Sequence, residues 1–293
     1  MKLTNKQNLP EAFVKAVTLR RHNKPGRLSA TTILNGTKHI ILSDRHWDDI
    51  EEDVSEHFWA IWGTTAHKAL EDEGADEFAE EYMSCEIDGI TLTGRIDNYN
   101  MRTGVITDWK NGSVWKIVYQ DFEDWRKQGL IYAWLLKKNG FTDVKTCRFI
   151  DIIRDHRKSE AKRKSGYPQT PLYVYEFAVT DEGLAEIEAF IREKIAEYKQ
   201  HREMADDDIP PCAAKERWDK PSKYKVMKEG RETAVRVLET KEEAEKMAVD
   251  LGNGHYVKIF PGESVRCLDY CSCCEFCNFY RDNVAPAEQE AAA

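Results

Sequence analysis

The stretch GRIDNYNMRTGVITDWKNG, residues 94–112, constrains this chain more than any other. Two β-prone runs flank a Gly-bearing turn centred near Arg102–Thr103, so it reads as a hairpin. Asp97, Asp108 and Lys110 fall inside the strands, where an unpaired charge is costly once buried. Residues two apart on a strand share a face, so Asp108 and Lys110 point the same way. Folding at the turn brings Asp97 opposite 108–110, and the three polar groups converge. Taken alone, D-x-K also fits an exposed ribbon in which Lys110 neutralises an aspartate. A convergent site suits phosphodiester cleavage. Two carboxylates bind Mg²⁺ or Mn²⁺ through hard oxygens, the ion polarises phosphate and lowers the pKa of water, and a lysine orients that water or offsets growing charge.

The flanking sequence supplies helices on both sides. Residues 43–71 read as helix, with Ser43 as cap and Trp47, Ile50, Val54, Phe58 and Ile61 at helical spacing. Gly63 interrupts it, and Thr64 re-caps a short segment carrying His67. Strands are expected at 84–99 and 105–111. The next helix is expected from an Asp121 cap to Gly140, with Trp125, Gln128, Tyr132 and Leu135 on one side. Gln128 and Tyr132 lie one turn apart and face together. TCRFIDIIRD and LYVYEFAV read as strands, and Thr180 opens a further helix. The acid- and proline-rich run 203–222 reads as a linker. After it come a hairpin, a helix with the capping box Thr240/Glu243 and the strand HYVKIF.

Charge narrows the function classes. The net charge of −9 excludes a generally basic nucleic-acid binder. Between Lys145 and Lys164, however, eight basic residues face three acidic ones. Such a run is ordinarily a solvated loop, but beside a nuclease site it is a phosphate track, with Arg154, Arg157, Lys158, Lys162, Arg163 and Lys164 as its DNA-binding side chains. The longest apolar run, GLIYAWLL, is too short to span a bilayer, and the N-terminus lacks the apolar core of a signal peptide. A cytoplasmic protein without membrane partner is expected. Five of the eight cysteines crowd into CLDYCSCCEFC, residues 267–277. In a reducing compartment that density points to a metal or iron–sulfur site rather than disulfides.

Four motifs in order carry a resemblance: GTTAHKALE with His67, GRID with Asp97, ITDWK with Asp108 and Lys110, and QGLIY with Gln128 and Tyr132. The chain resembles the PD-(D/E)XK nuclease superfamily, in its RecB-like exonuclease branch of phage and prophage type, from about residue 29, where SATTIL opens the domain, to 180. The family's proline before the first aspartate is Ile96 here, a position that RecB-like members often relax. The resemblance implies an α/β fold with a restriction-endonuclease-like core, a central mixed β-sheet flanked by helices. It implies His67, Asp97 and Asp108 as metal ligands with the Trp109 carbonyl, Lys110 as the catalytic lysine, and Gln128 and Tyr132 lining the DNA side. Glu71, Glu81 and Glu86 are further carboxylates in range. The implied activity is Mg²⁺- or Mn²⁺-dependent hydrolysis of DNA, as single strands or duplex ends, in phage recombination, repair or processing, with a recombination protein as partner. The alternatives are a catalytically silent DNA-binding scaffold on the same fold, or an unrelated zinc protein with an accidental D-x-K.

The cysteines offer two nearby sets, Cys267/Cys271/Cys277 and Cys271/Cys274/Cys277, and a tetrahedral site needs four thiolates. Phage relatives combine one distant cysteine with three C-terminal ones around a 4Fe–4S cluster, which implies Cys212 with Cys267, Cys271 and Cys277, and Cys274 as the alternative ligand. Zinc is the other metal of such a set. The expected organisation is a nuclease core with an N-terminal helical part over 1–202, a linker with Cys212 over 203–222, a small ββαβ insert over 223–260, a cysteine segment over 261–282 and a disordered tail over 283–293.

Overall fold

The computed structural model describes residues 1–17, 26–71 and 78–285, with backbone alone at 68–71 and 78–81. The chain divides into two compact units, Met1–Glu203 and Met204–Ala293. Among the described residues no helix is long and apolar enough to cross a membrane.

The first unit opens with β1 (Lys2–Thr4), α1 (Glu11–Ala16), β2 (Arg27–Ser29), α2 (Thr37–Arg45), β3 (Glu51–Asp53) and α3 (Phe58–Glu71). The helix expected over 43–71 is therefore two helices with a strand between them, and Ser43 lies inside α2 rather than capping it. Asp53 causes the break. Its carboxylate accepts the Lys6 N–H at 2.7 Å, the Ser55 N–H at 3.0 Å and the Thr4 hydroxyl at 2.9 Å, which ties β3 to the parallel β1 and caps the 3₁₀ turn Val54–His57. Those bonds, the Lys6 N–H foremost, hold the Asp53 carboxyl far below its usual range. Gly63 does not interrupt α3, and Thr64 does not re-cap it. The Thr64 and Thr65 hydroxyls turn back onto the Ala60 and Ile61 carbonyls at 3.0 and 2.9 Å, as threonine does inside a helix.

The sheet is built from β2, β4 (Phe78–Ile87), β5 (Ile90–Asn100), β6 (Val105–Lys110), β7 (Thr146–Ile152) and β8 (Leu172–Ala178), in the order β2-β5-β6-β7-β8 with β4 also against β5. β2–β5 and β6–β7 run parallel and the other pairs antiparallel. The strand expected over 84–99 is a hairpin. Asp88 (φ 50°) and Gly89 (φ 80°) form the left-handed pair that a two-residue turn requires. The Asp-Gly turn signal is masked in the sequence by apolar alternation that runs on through it.

Helices α4 (Val114–Val118), α5 (Glu123–Lys138), α6 (Lys158–Ala161) and α7 (Asp181–His201) complete the unit. α5 starts after Phe122, not at an Asp121 cap: the left-handed Gln120 (φ 54°) turns the chain there, and the Asp121 N–H closes onto the Lys116 carbonyl. α5 lies close on the sheet. A Cβ at Gly129 would sit 3.0 Å from Phe149 and Phe177, and one at Gly94 only 2.7 Å from Leu135. Ile131, Leu135 and Leu136 are fully buried there, each contributing about 1.5–3 kcal/mol of transfer free energy. Thr180 caps α7 through the Gly183 N–H at 3.1 Å.

The second unit contains β9 (Asp219–Lys220), β10 (Lys223–Lys228), β11 (Arg236–Leu238), α8 (Lys241–Asp250), β12 (His255–Phe260), β13 (Glu263–Ser264), α9 (Val265–Asp269) and α10 (Asn278–Asn283). The sheet β11-β10-β12 carries α8 over a small core of Val226, Ala244 and Ala248, and the Thr240 hydroxyl caps α8 by accepting the Glu243 N–H at 3.4 Å and donates to the Glu243 carboxylate at 2.9 Å. Within 203–222, Ile209 is buried, and Asp207 takes hydrogen bonds from Asn278 and Arg281 of α10. α10 extends to Asn283 and Val284 is buried; the rest of the expected tail, 286–293, lies outside the described residues.

Candidate active site

β5 is paired with β4 along one edge, while its other edge is shared. β2 takes Thr91–Thr93 and β6 takes Asn98–Asn100. Between them lies Gly94–Asp97, the GRID motif, where the β5–β6 ladder has ended. There the Asp97 carboxylate accepts the Trp109 N–H at 2.9 Å, standing in for the missing ladder bond. The splayed strands leave Asp97 on one side of the opening and Asp108 and Lys110 on the other. Trp109 pairs with Ile150 of β7.

α5 closes the site. Lys110 Nζ donates to Gln128 Oε1 at 2.9 Å and lies 2.6 Å from Asp108 Oδ2. Gln128 Nε2 donates to Asp108 Oδ1 at 3.3 Å and to the Tyr132 hydroxyl oxygen at 2.8 Å. His67 of α3 holds Nδ1 3.6 Å from Asp97 Oδ2. His67, Asp97, Asp108, Lys110, Gln128 and Tyr132 are thus brought together. Glu86 is not among them: it is exposed and pairs with Thr91, six residues along β5 from Asp97, roughly 20 Å. The Glu71 and Glu81 side chains lie outside the described residues.

The electrostatics follow from burial. Asp108 is 2% exposed. Burial pushes its carboxyl up to about 6, Lys110 pulls it down and Asp97 pushes it up. Despite the nearby ammonium, Oδ2 receives no aligned hydrogen bond. The Asp97 carboxylate raises His67 against the effect of burial. Burial, with Asp108 beside it, keeps Tyr132 protonated well above its usual value. A buried, underbonded carboxylate beside a second carboxylate and an imidazole is a donor set that fits a hard divalent cation.

The loop after Lys110 is held by residues that sequence reasoning missed. Asp151, counted as one acid of the basic run, is fully buried and accepts the Gly112 N–H at 2.5 Å. Asp155 takes the Ser113 hydroxyl and the Val114 N–H, each at 2.7 Å. The Asn111 amide orientation that satisfies both its ends donates to the Ile152 carbonyl at 3.1 Å and accepts from Trp62 Nε1 at 3.3 Å. The only sequence signal was the cluster Asn-Gly-Ser directly after the D-x-K strand. The basic side chains Arg154, Arg157, Lys158, Lys162, Arg163 and Lys164 are all exposed. Glu160 partly offsets Arg163 and Lys164, at 3.7 and 2.7 Å.

In the second unit Cys212 and the cysteines of 267–277 share one neighbourhood. None of the cysteines forms a disulfide among the described residues. Burial pushes the Cys267 thiol up to about 12, with the Cys271, Cys212 and Cys277 sulfurs close enough to add to the shift. Cys274 is pushed up to about 11 by burial and then by Cys271. Cys273, which spacing did not select, is buried with its sulfur 3.7 Å from that of Cys271. The Arg217 guanidinium donates to the Cys212 carbonyl and stacks on Phe279 at 4.2 Å, and the Arg266 N–H donates to the Arg217 carbonyl at 3.0 Å. These contacts hold Cys212 beside α9 and α10.

A comparison with curated proteins found no match. Among solved structures, the chain is similar to an alkaline exonuclease, LHK-Exo, from Laribacter hongkongensis, at 13% identity and a TM-score of 0.38 over 66% of this chain and 94% of that one. It is also similar to a phage related exonuclease from Haemophilus somnus 129PT, at 12% identity and a TM-score of 0.32 over 57% of this chain and 73% of that one. Likenesses so distant say nothing of the substrate. The family model of the PD-(D/E)XK nuclease superfamily is different in reach, matching residues 5–278. By that match the chain belongs to the PD-(D/E)XK nuclease superfamily.

Proposed function

We propose that this chain is a metal-dependent exonuclease that hydrolyses DNA phosphodiester bonds. The observation that carries the reading is the closed set of contacts among Asp108, Lys110 and Gln128 facing Asp97, in which a buried Asp108 oxygen lacks an aligned donor. Asp97, Asp108, His67 and the Trp109 carbonyl would hold Mg²⁺ or Mn²⁺. When bound, the ion supplies Lewis acidity toward the scissile phosphate. Lys110 Nζ orients the attacking water and donates toward the charge that develops on phosphate. Gln128 keeps that ammonium and Asp108 in register. Tyr132, buried rather than lining a DNA-facing surface, accepts the Gln128 amide N–H at 2.8 Å and so fixes Gln128 against Asp108. The exposed cations from Arg154 to Lys164 track the backbone.

The thiols of Cys212, Cys267, Cys271 and Cys277 fit a 4Fe–4S cluster, because the Cys212, Cys271 and Cys277 sulfurs lie close enough to Cys267 to raise its thiol, and such a cluster takes four thiolates. The cluster would be a structural staple within the second unit, with zinc as the other metal of the same set and Cys274 as the other ligand. The deciding assay for the nuclease compares end-labelled linear DNA with closed circular DNA in Mn²⁺. Linear DNA is degraded and circular DNA spared, and Asp108→Ala or Lys110→Ala lowers the rate by about 10²–10³-fold or more. Undiminished activity in both variants would refute the assignment of the site, and equal attack on circles would make the chain an endonuclease.

A further inference from the structure

Five large aromatic side chains on α3 and α4 stand in solvent. Phe58, Trp59, Trp62, Trp115 and Tyr119 are 46%, 48%, 52%, 51% and 72% exposed, and no residue of α3 from Phe58 to His67 is buried. Rings of this size are ordinarily packed away, and grouped exposure marks a surface that binds something. Trp115 and Tyr119, one helical turn apart, already stack on each other with centroids 5.7 Å apart and planes 23° apart.

Both groups border the loop that follows Lys110. Trp62 reaches Asn111, the next residue after the lysine. Trp59 carries the Arg154 guanidinium 4.8 Å above its ring, and the Arg154 N–H donates to the Gly112 carbonyl at 3.1 Å. α4, which bears Trp115 and ends at Tyr119, starts on the Ser113–Asp155 cap of the same loop. The rings are thus interleaved with cations and continue into the exposed Arg157, Lys158 and Lys162.

This pairing of ring faces with phosphate-seeking cations favours one occupant over a protein partner. A duplex hides its base faces in the stack, whereas an unpaired strand offers each one to an aromatic ring. We propose that the α3 and α4 rings stack the unpaired bases of a single strand or frayed end and so deliver its phosphates to Asp97, Asp108 and Lys110. The proposal rests on the nuclease reading for its direction of delivery, but the stacking itself is testable without cleavage.

The test uses the full chain in EDTA. An oligothymidylate of about 15 nucleotides is compared with an abasic strand of equal length at one salt concentration. Anisotropy of the labelled strand gives the affinity, and tryptophan fluorescence gives the stacking. The expected result is quenching by the thymidylate and an affinity about tenfold above that for the abasic strand. Combined Trp59→Ala, Trp62→Ala, Trp115→Ala and Tyr119→Ala removes the gap. Combined replacement of the same four by Phe keeps most of it, which separates loss of rings from loss of folding. Equal affinity for the two strands, or a gap that survives in the alanine variant, overturns the proposal and assigns the rings to a protein contact. A chain that shows the gap but never cleaves in Mn²⁺ retains the stacking surface and loses the nuclease reading; one that cleaves without the gap does the reverse.

Discussion

Asp151 shows how a single residue can change meaning between sequence and structure. In the sequence it is one acid in a basic run. In the structure it lies within β7, fully buried, one carboxylate oxygen on the Gly112 N–H and the other without a hydrogen bond. Burial raises its carboxyl above the usual range, with the Gly112 N–H opposing. It positions the loop that leaves Lys110. Asp151→Ala is expected to strand the Gly112 N–H and cost about 1–3 kcal/mol in denaturant unfolding. It should also lower kcat more than it raises KM, because Asp151 sets the course of the chain beside the lysine. Gly112→Ala should do the same, since its Cβ would come within 2.7 Å of the Asp151 carboxylate. A variant with wild-type stability and kcat would remove Asp151 from this role. By contrast Asp108 with Lys110, and Gln128 with Tyr132, were legible as pairs, because strand and helix periods place side chains without tertiary knowledge, while the meeting of the helix pair with the strand residues was implied by the family resemblance.

At the scale of elements, helix and strand identity was legible where local chemistry is complete, as at Thr180 before α7 and Thr240 before α8. It failed where a distant segment intervenes. The break between α2 and α3 depends on Asp53 binding Thr4 and Lys6 of the N-terminal strand, and no periodicity within 43–71 reports that. The contact of α5 with α7 is similarly non-local. Glu188 accepts from Trp134 Nε1 at 2.8 Å and lies 2.8 Å from Arg192 and 3.3 Å from Lys138. The Trp134 and Arg192 donors lower its carboxyl from 4.5 to about 2. A depressed folded pKa stabilises above the unfolded value and is lost as pH falls. The contribution should therefore be whole above about pH 4.5 and fade toward pH 2. Glu188→Gln is expected to cost about 1 kcal/mol at neutral pH, given partial exposure, and nothing near pH 2. A difference constant across that interval in urea titrations would contradict the assignment.

For the whole molecule, the negative net charge and the exposed cations at 154–164 are compatible because charge acts over about a Debye length of 8–10 Å rather than over a chain. The proposed cluster would make the second unit depend on its thiols. Anaerobic purification is expected to give a brown protein containing iron and sulfide, and Cys212→Ser or Cys267→Ser should lose the colour and expose 204–285 to protease. Stoichiometric zinc without iron would replace the cluster by a zinc site, and a colourless, metal-free, protease-resistant unit would leave the cysteines without a metal role. The sequence by itself determined the residue types, their order and their periodic faces, and with these the family and most of the charged site. Only the tertiary structure decided how far the β5–β6 ladder runs, which carboxylate is buried without an aligned donor, and which rings remain in solvent. Those depend on which distant segments take up a backbone group, a lone pair or an apolar face, and that choice is made when the whole chain packs.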